Sequence, residues 1–414
     1  MRGSLASSWS WSGTSSPIAT GPIATSTNAA LPPISIDYTP AWEQGGGIGR
    51  YVRELCAAIA QLDRRTDYRL FVSGAQRGKL PTPPGPNFSW RPTPISPRSW
   101  ARIWHRARVP YPIESITGRV ALLHATDFTL PPTLPGTRTL LTVHDLSFVR
   151  VPETASPSLK AYLDSVVPRS VRRADHVLAD SEATRDDLVA LYGTPRDKIT
   201  VLWSGVDARF APVTDVEALR VTRARYNLPD APFLLSVGTV QPRKNYTRLI
   251  EALARLRADI PALSLVIVGG RGWLEDPIFA TLDQFGLRDS VIFTGFADDS
   301  DLPALYTLAH VVALPSLYEG FGLPVLEAMA CGTPVVTSNV SSLPEVAGDA
   351  ALLVDPTDVD ALTNALHRLV TEDGLRSTLR DRGLTRAATF TWERAARQLL
   401  GVYSQMLCSS TPGL

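Results

Sequence analysis

The sequence predicts two doubly wound α/β domains that face each other across a cleft. Short β-rich runs alternate with helical patterns from residue 34 onward, which is typical of parallel strands joined by crossover helices. The alternation breaks once, at residues 211–215, where Pro212 separates two periodic blocks. We therefore expect one domain over residues 34–212 and a second over residues 213–391.

The first block begins with a predicted strand, ISIDY at 34–38, followed by a glycine-rich turn and a helix at 48–62. Ser181 has a side chain preferred at a helix N-cap and precedes the helical pattern EATRDDLVALYG. Further strands are expected at 68–73, 121–125, 139–144, 176–179 and 198–203.

The second block is more regular and begins with the strand FLLSVG at 233–238. The helix that follows, at 246–258, carries its apolar residues on one stripe: Leu249, Ile250, Leu253 and Leu256. Five more strand patterns come after it, LSLVIVGG, VIFTG, VVALPS, PVVTS and ALLV. The last helix, at 392–407, follows Thr391, a suitable N-cap.

Composition argues against membrane-spanning and disulfide-rich proteins. The chain has 414 residues, of which 44% are hydrophobic, and three scattered cysteines without metal-ligand spacing. No apolar run approaches the roughly 20 residues that cross a bilayer, and cysteine usage suits a reducing compartment, so we expect a cytoplasmic protein. The first thirty residues lack the apolar block of a signal peptide, and the small and polar residues of 1–33 predict either a disordered tail or a misplaced start codon.

Loops after the strands should hold the chemistry, because ligands of open α/β sheets bind beyond the carboxyl ends of the strands. The richest loop is SLYEGFGLPVLEAMACG at 316–332. Gly320 and Gly322 let the backbone approach a ligand. Glu319 and Glu327 can accept hydrogen bonds from sugar and ribose hydroxyls, and an acid within the apolar stretch GLPVLEAMA is costly unless it has a partner.

Three other loops are candidates. Arg243 and Lys244 precede a helix with Asn245 as its expected cap, and two cations at a helix start suit a diphosphate. The loop GGGIGRY at 45–51 follows the first strand but lacks the full dinucleotide-binding spacing, so it fits a sugar or phosphate contact or a plain tight turn. His144 ends a buried strand, where a histidine is often structural.

The ordered set of motifs resembles the retaining nucleotide-sugar glycosyltransferases of family 4. EGFGLPVLEAMACGTPVV resembles their signature, in which a second Glu follows the first by eight residues. SVGTVQPRKN is similar to their phosphate loop, and matches occur in the same order at IDYTPAWEQGGGIGRYVREL, VHDLSF, LADSEATRDDL and WSGVDARFAP. The resemblance spans residues 34–407.

This resemblance implies the GT-B fold, two Rossmann-like domains with the donor held mostly by the second and the last helix crossing back to the first. It implies that Arg243 and Lys244 bind the diphosphate and stabilise the departing charge. Glu327 would hold the ribose hydroxyls, and Glu319 would contact the hydroxyls of the donor sugar.

The same matches imply further contacts in the cleft. His144 would lie by the transferred sugar, and Gly46 and Gly47 would line the opposite wall. The backbone against sugar and phosphate would come from Gly320, Phe321, Gly322 and Leu323. The base would lie near Gly295, Phe296 and Ala297.

One departure concerns charge in the phosphate loop. Many family members carry an Arg directly after the glycine of the phosphate strand, where this chain has Thr239, so Arg243 must supply more of the charge. No metal and no cofactor are expected. The acidic strings Asp299–Asp301 and Asp358–Asp360 are interpreted as helix starts, the first capping DLPALYTLA.

The PRKN form of the phosphate loop resembles mannosyltransferases of polysaccharide and lipopolysaccharide assembly. GDP-mannose is therefore the first donor expected and a UDP-hexose the second, with a glycan or lipid-linked acceptor and no nucleic acid partner. Two alternatives are an epimerase or phosphorylase of the same architecture and a non-catalytic nucleotide-sugar binder.

Charge is distributed unevenly along the chain. Residues 1–213 hold 24 Lys and Arg against 17 Asp and Glu, a net +7, whereas residues 214–414 hold 17 against 23, a net −6. The difference fits a first domain that faces an anionic acceptor or membrane surface, or ordinary variation between domains.

The segment 90–110 carries much of the excess positive charge. It combines five arginines with three tryptophans and contains no acid: Arg91, Arg98, Arg102, Arg106, Arg108, Trp90, Trp100 and Trp104. Its tryptophans either pack into the core of the first domain or, with the arginines, contact a lipid diphosphate or the inner membrane face as a peripheral anchor.

Overall fold

The computed structural model describes residues 30–408, apart from the side chain of Arg77. Most of the predicted disordered tail, residues 1–29, lies outside the described residues. Within them, Leu31 packs against the core of the first sheet, and its backbone N–H donates to Thr66 Oγ1 at 3.1 Å. Leu31, which the prediction included in the disordered tail, is therefore packed against the first domain.

Seven parallel strands form the first sheet. They are β1 (Ile34–Asp37), β2 (Tyr68–Ser73), β3 (Phe88–Thr93), β4 (Leu122–Ala125), β5 (Arg138–Val143), β6 (His176–Ala179) and β7 (Ile199–Val201). Seven α-helices accompany them: α1 (Thr39–Glu43), α2 (Gly47–Leu62), α3 (Pro97–Trp100), α4 (Glu114–Thr117), α5 (Ser147–Arg150), α6 (Pro157–Arg173) and α7 (Glu182–Tyr192). A π-helical turn over Ala101–Arg106 continues α3.

Six parallel strands form the second sheet. They are β8 (Phe233–Val237), β9 (Ser264–Val268), β10 (Val291–Gly295), β11 (Val311–Leu314), β12 (Val335–Ser338) and β13 (Leu352–Val354). The remaining helices are α8 (Val216–Arg225), α9 (Tyr246–Leu256), α10 (Asp276–Phe285), α11 (Leu302–Leu308), α12 (Leu323–Ala330), α13 (Leu343–Ala347), α14 (Val359–Thr371), α15 (Asp373–Ala387) and α16 (Trp392–Cys408).

Both sheets share one topology. The first runs β3-β2-β1-β4-β5-β6-β7 and the second β10-β9-β8-β11-β12-β13. Helices cover both faces of each sheet, which is why strands such as β11 are apolar and buried throughout. The strand order reverses between β1 and β4 and again between β8 and β11, and crevices at such switch points bind ligands. The predicted two-domain GT-B architecture is confirmed.

The last helix returns to the first sheet. Helix α16 packs against α2, and its Trp392, Ala396 and Leu399 are buried in the same apolar core as Tyr51 and Leu55. The predicted cap of α16 is present, because Arg394 N donates to Thr391 Oγ1 at 3.1 Å. Ser181 caps α7 in the same way, accepting from Thr184 N at 3.1 Å.

Strand β3 and helix α6 are among the elements that escaped prediction, and each contains a proline. Strand β3 includes Pro92 but lies at the sheet edge, where a missing N–H removes no necessary ladder bond. Helix α6 contains Pro168 in its interior.

The basic segment, residues 90–110, was predicted to place its tryptophans either in the core or at a membrane. Trp100 and Trp104 are buried, and their rings stack with centroids 4.2 Å apart. Both therefore belong to the core.

Two predicted helix caps are wrong. Asn245 precedes α9 but adopts a left-handed conformation, and its side-chain amide donates to the carbonyls of Pro315 and Pro356 instead. Asp301 precedes α11, yet its carboxylate accepts from Arg225 and from Tyr226 Oη. In both cases the side chain bonds to groups distant in the sequence and not to the backbone N–H groups at the start of the helix that follows. Asp358 does cap α14, accepting from Ala361 N at 2.9 Å.

Among residues 30–408, no helix combines the length and the apolar character that crossing a membrane requires.

Candidate active site

A cavity of about 500 Å³ opens between the two sheets, at the carboxyl ends of their strands. Loops after β1 and β5 form one wall, and loops after β8 and β11 form the other. With the exception of Gly295, every residue that the sequence proposed for the site lines this cavity.

Glu319 is the centre of a compact ionic cluster on the second sheet. Lys244 Nζ donates to its Oε1 at 2.6 Å, and Arg243 Nη1 donates to its Oε2 at 2.7 Å. Ser316 Oγ adds a third bond at 2.6 Å. The short 3-10 turn Pro242–Lys244 aims both cations at the loop after β11, and Arg243 O accepts from Leu317 N to fix the two loops together.

Charge interactions in this cluster overcome the cost of burial. Burial alone would raise the pKa of Glu319, but the charges of Arg243 and Lys244 outweigh it and hold the pKa at about 2. Burial lowers the pKa of Lys244, although Glu319 opposes the change. The cluster itself holds two cations against one carboxylate, and the charge of Asp145, on the opposite wall, also acts on both cations. Within the cluster the cations are in excess, and anions are attracted to such a group.

Two glycines shape the loop between β11 and α12. A Cβ at Gly320 would stand 2.2 Å from the carbonyl oxygen of His144, so only glycine allows the two domains to touch here. Gly322 precedes α12 with φ +116°, a region that glycine adopts readily. The loop thereby brings backbone N–H groups and the start of a helix to the cavity wall.

Glu327 lies on α12 with almost no solvent exposure and is bonded from two sides. Tyr306 Oη donates to Oε2 at 2.8 Å, and Arg50 Nη1, from α2 of the first domain, donates to Oε1. Arg50 Nη2 also donates to Asp299 Oδ1 at 2.6 Å. Burial raises the pKa of Glu327, and the charge of Arg50 opposes that shift.

His144 lies in the opposite wall with both ring nitrogens engaged. Its Nδ1 is 2.8 Å from Asp180 Oδ2, and its Nε2 is 2.8 Å from the carbonyl oxygen of Thr126. Both partners are acceptors, so each nitrogen must carry hydrogen. Burial opposes protonation, but Asp180 outweighs it and raises the pKa of His144 to about 9. His144 is therefore a positioned cation and has no free lone pair to act as a base.

The remaining predicted residues lie around the cavity mouth. Gly46 is the N-cap of α2, and a Cβ at Gly47 would be 3.8 Å from Leu323, so this loop faces the second domain. Phe296 is 64% exposed and available for stacking, whereas Ala297 is buried. Gly295 lies behind the wall, at the end of β10, and its carbonyl accepts from Gly269 N.

Sequence patterns assigned no site role to three residues of the cavity wall. Arg50 falls within the proposed loop 45–51, but its reach to the other domain depends on tertiary structure. Asp180 follows β6 directly and lies beside His144. It falls within the matched stretch LADSEATRDDL, but its pairing with His144 depends on tertiary structure. Asp299 was interpreted as part of a helix start, whereas its carboxylate pairs with Arg50.

Across residues 30–408, no group of three or more His, Cys, Asp or Glu side chains is arranged to hold a metal ion. Both candidate D-x-D strings have other partners: Asp299 and Asp301 bind arginines, and Asp358 caps a helix.

Comparison with family models and known proteins agrees with this geometry. Residues 45–210 match the model of Glycosyltransferase Family 4, and residues 220–386 match that of Glycosyl transferases group 1. O-antigen chain mannosyltransferase B of Escherichia coli is 33% identical over 370 residues, which cover 86% of this chain and 95% of that protein.

One further sequence relative and one solved structure are also similar to this chain. A D-inositol 3-phosphate glycosyltransferase of Salinispora arenicola is 37% identical over 256 residues, covering 58% of this chain and 57% of that one. The structure of sucrose-phosphate synthase from Thermosynechococcus elongatus superposes with a TM-score of 0.70 and 26% identity, covering 91% of this chain and all of that chain.

Fold and cleft together define a nucleotide-sugar-dependent hexosyltransferase of GT-B architecture. The wall on the second domain carries the paired cations and the two glutamates, and the opposite wall carries His144, whose pKa is raised by Asp180. The chain belongs to glycosyltransferase family 4.

Proposed function

We propose that this enzyme transfers mannose from GDP-mannose, with retention at the anomeric carbon, to a glycan or lipid-linked acceptor. The cluster of Glu319, Arg243 and Lys244 carries the proposal, since it offers net positive charge where a diphosphate must leave. The choice of mannose is supported by the Escherichia coli relative, whose name is O-antigen chain mannosyltransferase B. A UDP-hexose is the second candidate donor.

The family resemblance assigns Glu327 to the ribose hydroxyls and Glu319 to the donor sugar, and the free acceptor sites on the two carboxylates are compatible with both roles. A carboxylate offers about four acceptor sites. Glu327 uses two, for Arg50 and Tyr306, and two remain for the ribose hydroxyls. Glu319 uses three, for Lys244, Arg243 and Ser316, and one remains for a hydroxyl of the sugar.

The leaving group determines the chemistry. The acceptor hydroxyl forms the new bond to the anomeric carbon on the face from which the diphosphate departs, and the bond between that carbon and the β-phosphate oxygen breaks. The hydroxyl proton passes to the departing phosphate, because His144 has no free nitrogen. Fixed cations at Arg243 and Lys244 stabilise the charge that builds up on the phosphate.

The nucleobase of the donor would lie near Gly295, Phe296 and Ala297.

Donor identity is tested by thermal shift with a panel of GDP, UDP and ADP sugars. A ligand at 100 times its Kd adds about 2.7 kcal/mol to the free energy of unfolding, so GDP-mannose should give the largest shift. Nucleotide-diphosphate release with and without an acceptor extract then reports transfer, and NMR of the product reports the anomeric configuration. A larger response to a UDP sugar would select the second candidate, and an inverted product would contradict retention.

We also propose a peripheral contact between the basic segment and an anionic membrane. Trp100 and Trp104 are buried and take no part, so the contact rests on Arg98, Arg102, Arg106 and Arg108, which are exposed and make no ion pair within the described chain. Val109 and Tyr111, each 43% exposed, lie beside them. Basic side chains near an anionic surface contribute about 1 kcal/mol each.

A further inference from the structure

A second cavity lies in the first domain, away from the donor cleft. It has a volume of about 300 Å³ and shares no lining residue with the cleft. The end of the π-helical turn supplies Trp104 and His105, the residues after it supply Arg108, and the last turns of α6 supply Arg169, Ser170 and Arg173.

Three arginines converge on this cavity without a carboxylate. None of Arg108, Arg169 and Arg173 forms an ion pair with any part of residues 30–408. Acids on neighbouring elements bind elsewhere: Asp164 pairs with Lys160 at 2.5 Å, and Glu114 accepts from Leu134 N and Thr137 Oγ1. Uncompensated positive charge around one cavity repels itself and is relieved by an anion.

The hydrogen-bond donors around the cavity are only partly used. Arg173 donates two N–H groups to the carbonyl oxygens of Leu130 and Pro131. Arg108, by contrast, has no bonded partner within the described range, and Arg169 reaches only Ser165 Oγ, at 3.4 Å. Ser170 is 2% exposed and its Oγ accepts from Leu130 N, which leaves its own hydrogen available.

The other half of the cavity is apolar. The ring of Trp104 and the side chains of Pro110, Pro132 and Val166 line it. Trp104 is held in place because its Nε1 donates to the carbonyl of Tyr111 at 2.8 Å. A cationic wall facing an apolar wall suits a ligand with an anionic end and a hydrocarbon body.

We propose that this cavity binds a phosphate group carried on an apolar body, with Arg108 and Arg169 as its ligands. Guanidinium groups bind phosphate oxygens through paired N–H donors, and the hydroxyl of Ser170 adds a third donor. The site deepens the acceptor side of the proposed function, since a phosphorylated lipid held here would keep the enzyme beside lipid-linked acceptors. Binding at this site is nevertheless independent of transfer at the donor cleft.

The test measures phosphate binding by calorimetry on the full chain. Inorganic phosphate and monomeric dihexanoyl phosphatidic acid are titrated into the wild type and into Arg108→Gln, Arg169→Gln and Arg172→Gln. Arg172 is the matched control, because it is exposed on the same helix, next to Arg173, and does not line the cavity. Arg173 is left unchanged, since it supports the loop at Leu130.

Each cavity variant should weaken phosphatidic acid binding roughly tenfold or more, while the control binds like the wild type. Tighter binding of phosphatidic acid than of inorganic phosphate supports a lipid headgroup as the source, whereas equal affinities would overturn the proposed apolar body and indicate a free phosphate compound. No measurable binding, or equal loss in all three variants, would overturn the proposal. Mannosyl transfer to a water-soluble acceptor should be unchanged in these variants, so failure here leaves the donor-site assignment separately testable.

Discussion

The guanidinium of Arg50, on the first domain, donates to the carboxylate of Glu327, on the second, across the donor cleft. Both side chains are largely buried, with 13% and 4% exposure. The pair joins the two domains at the proposed ribose site, and it counteracts the rise that burial causes in the pKa of Glu327. Domain position and donor affinity should therefore depend on the same ion pair.

Replacing Arg50 by Ala should lower stability and donor affinity together. Removal of one partner leaves a buried carboxylate unpaired, at a cost of about 3–5 kcal/mol. We expect a lower Tm and a raised KM for the nucleotide sugar. Arg50→Lys should recover part of both, because one ammonium keeps the charge but cannot bridge Glu327 and Asp299 as the guanidinium does. Arg64→Ala, an exposed position just beyond α2, is the control. Wild-type Tm and KM in Arg50→Ala would contradict this role.

Arg243→Ala and Lys244→Ala should each reduce kcat by roughly 100-fold or more. A lost contact to charge that develops in the transition state costs on the order of 3 kcal/mol. Folding should survive, because Glu319 keeps the other cation in either variant. Arg248→Ala, on α9 and outside the cleft lining, should retain normal turnover. Turnover near that of the wild type in both cleft variants would remove these residues from the mechanism.

Local patterns predicted most of the fold because the strands are buried on both faces. Apolar runs such as VVAL and LVIV are each followed by a sequence with helical periodicity, and this alternation predicts a parallel sheet. Strand β3 escaped because FSWRPT alternates polarity and contains Pro92. At the edge of the sheet those features are tolerated, and edge position is a property of the assembled domain.

The cavity-lining residues that sequence patterns identified are those that lie close together along the chain. Arg243 and Lys244 are adjacent, and Glu319 and Glu327 are joined by one loop and one helix, so short motifs contain them. Arg50 and Asp180 were missed because their partners are 277 and 36 residues away. A single sequence cannot show that an arginine of one domain reaches a glutamate of the other.

Chelators should leave the enzyme active. The cations that the proposed mechanism uses belong to Arg243 and Lys244, and the two D-x-D strings have arginine or backbone partners. Turnover in excess EDTA should equal turnover without it, with purified enzyme and fixed ionic strength. Complete loss of activity, restored by a divalent cation, would show that a metal takes part.

The basic segment should bind vesicles in a salt-dependent way. Exposed charges are screened by added salt, so co-sedimentation with anionic vesicles should be strong at low salt and weak at high salt. Neutral vesicles should not sediment the protein. Arg102→Gln combined with Arg106→Gln should weaken binding to the vesicles, because both side chains are exposed. Neither residue lines the second cavity, so this effect is separate from phosphate binding there. Binding that is indifferent to lipid charge would contradict the proposed contact.

The ion pair of His144 and Asp180 should make stability fall in mild alkali. The pKa of His144 is raised from about 6.5 to about 9 in the folded protein. A raised pKa of this kind contributes stability that is complete below about pH 6.5 and is lost as pH rises through 9. At about 1.4 kcal/mol per unit the contribution is roughly 3 kcal/mol. Thermal unfolding of the wild type and of Asp180→Asn between pH 6 and 9.5 checks this, since the variant lacks the anion that raises the pKa. The wild-type Tm should fall toward that of the variant across the window, and parallel profiles would show that the imidazolium does not stabilise the fold.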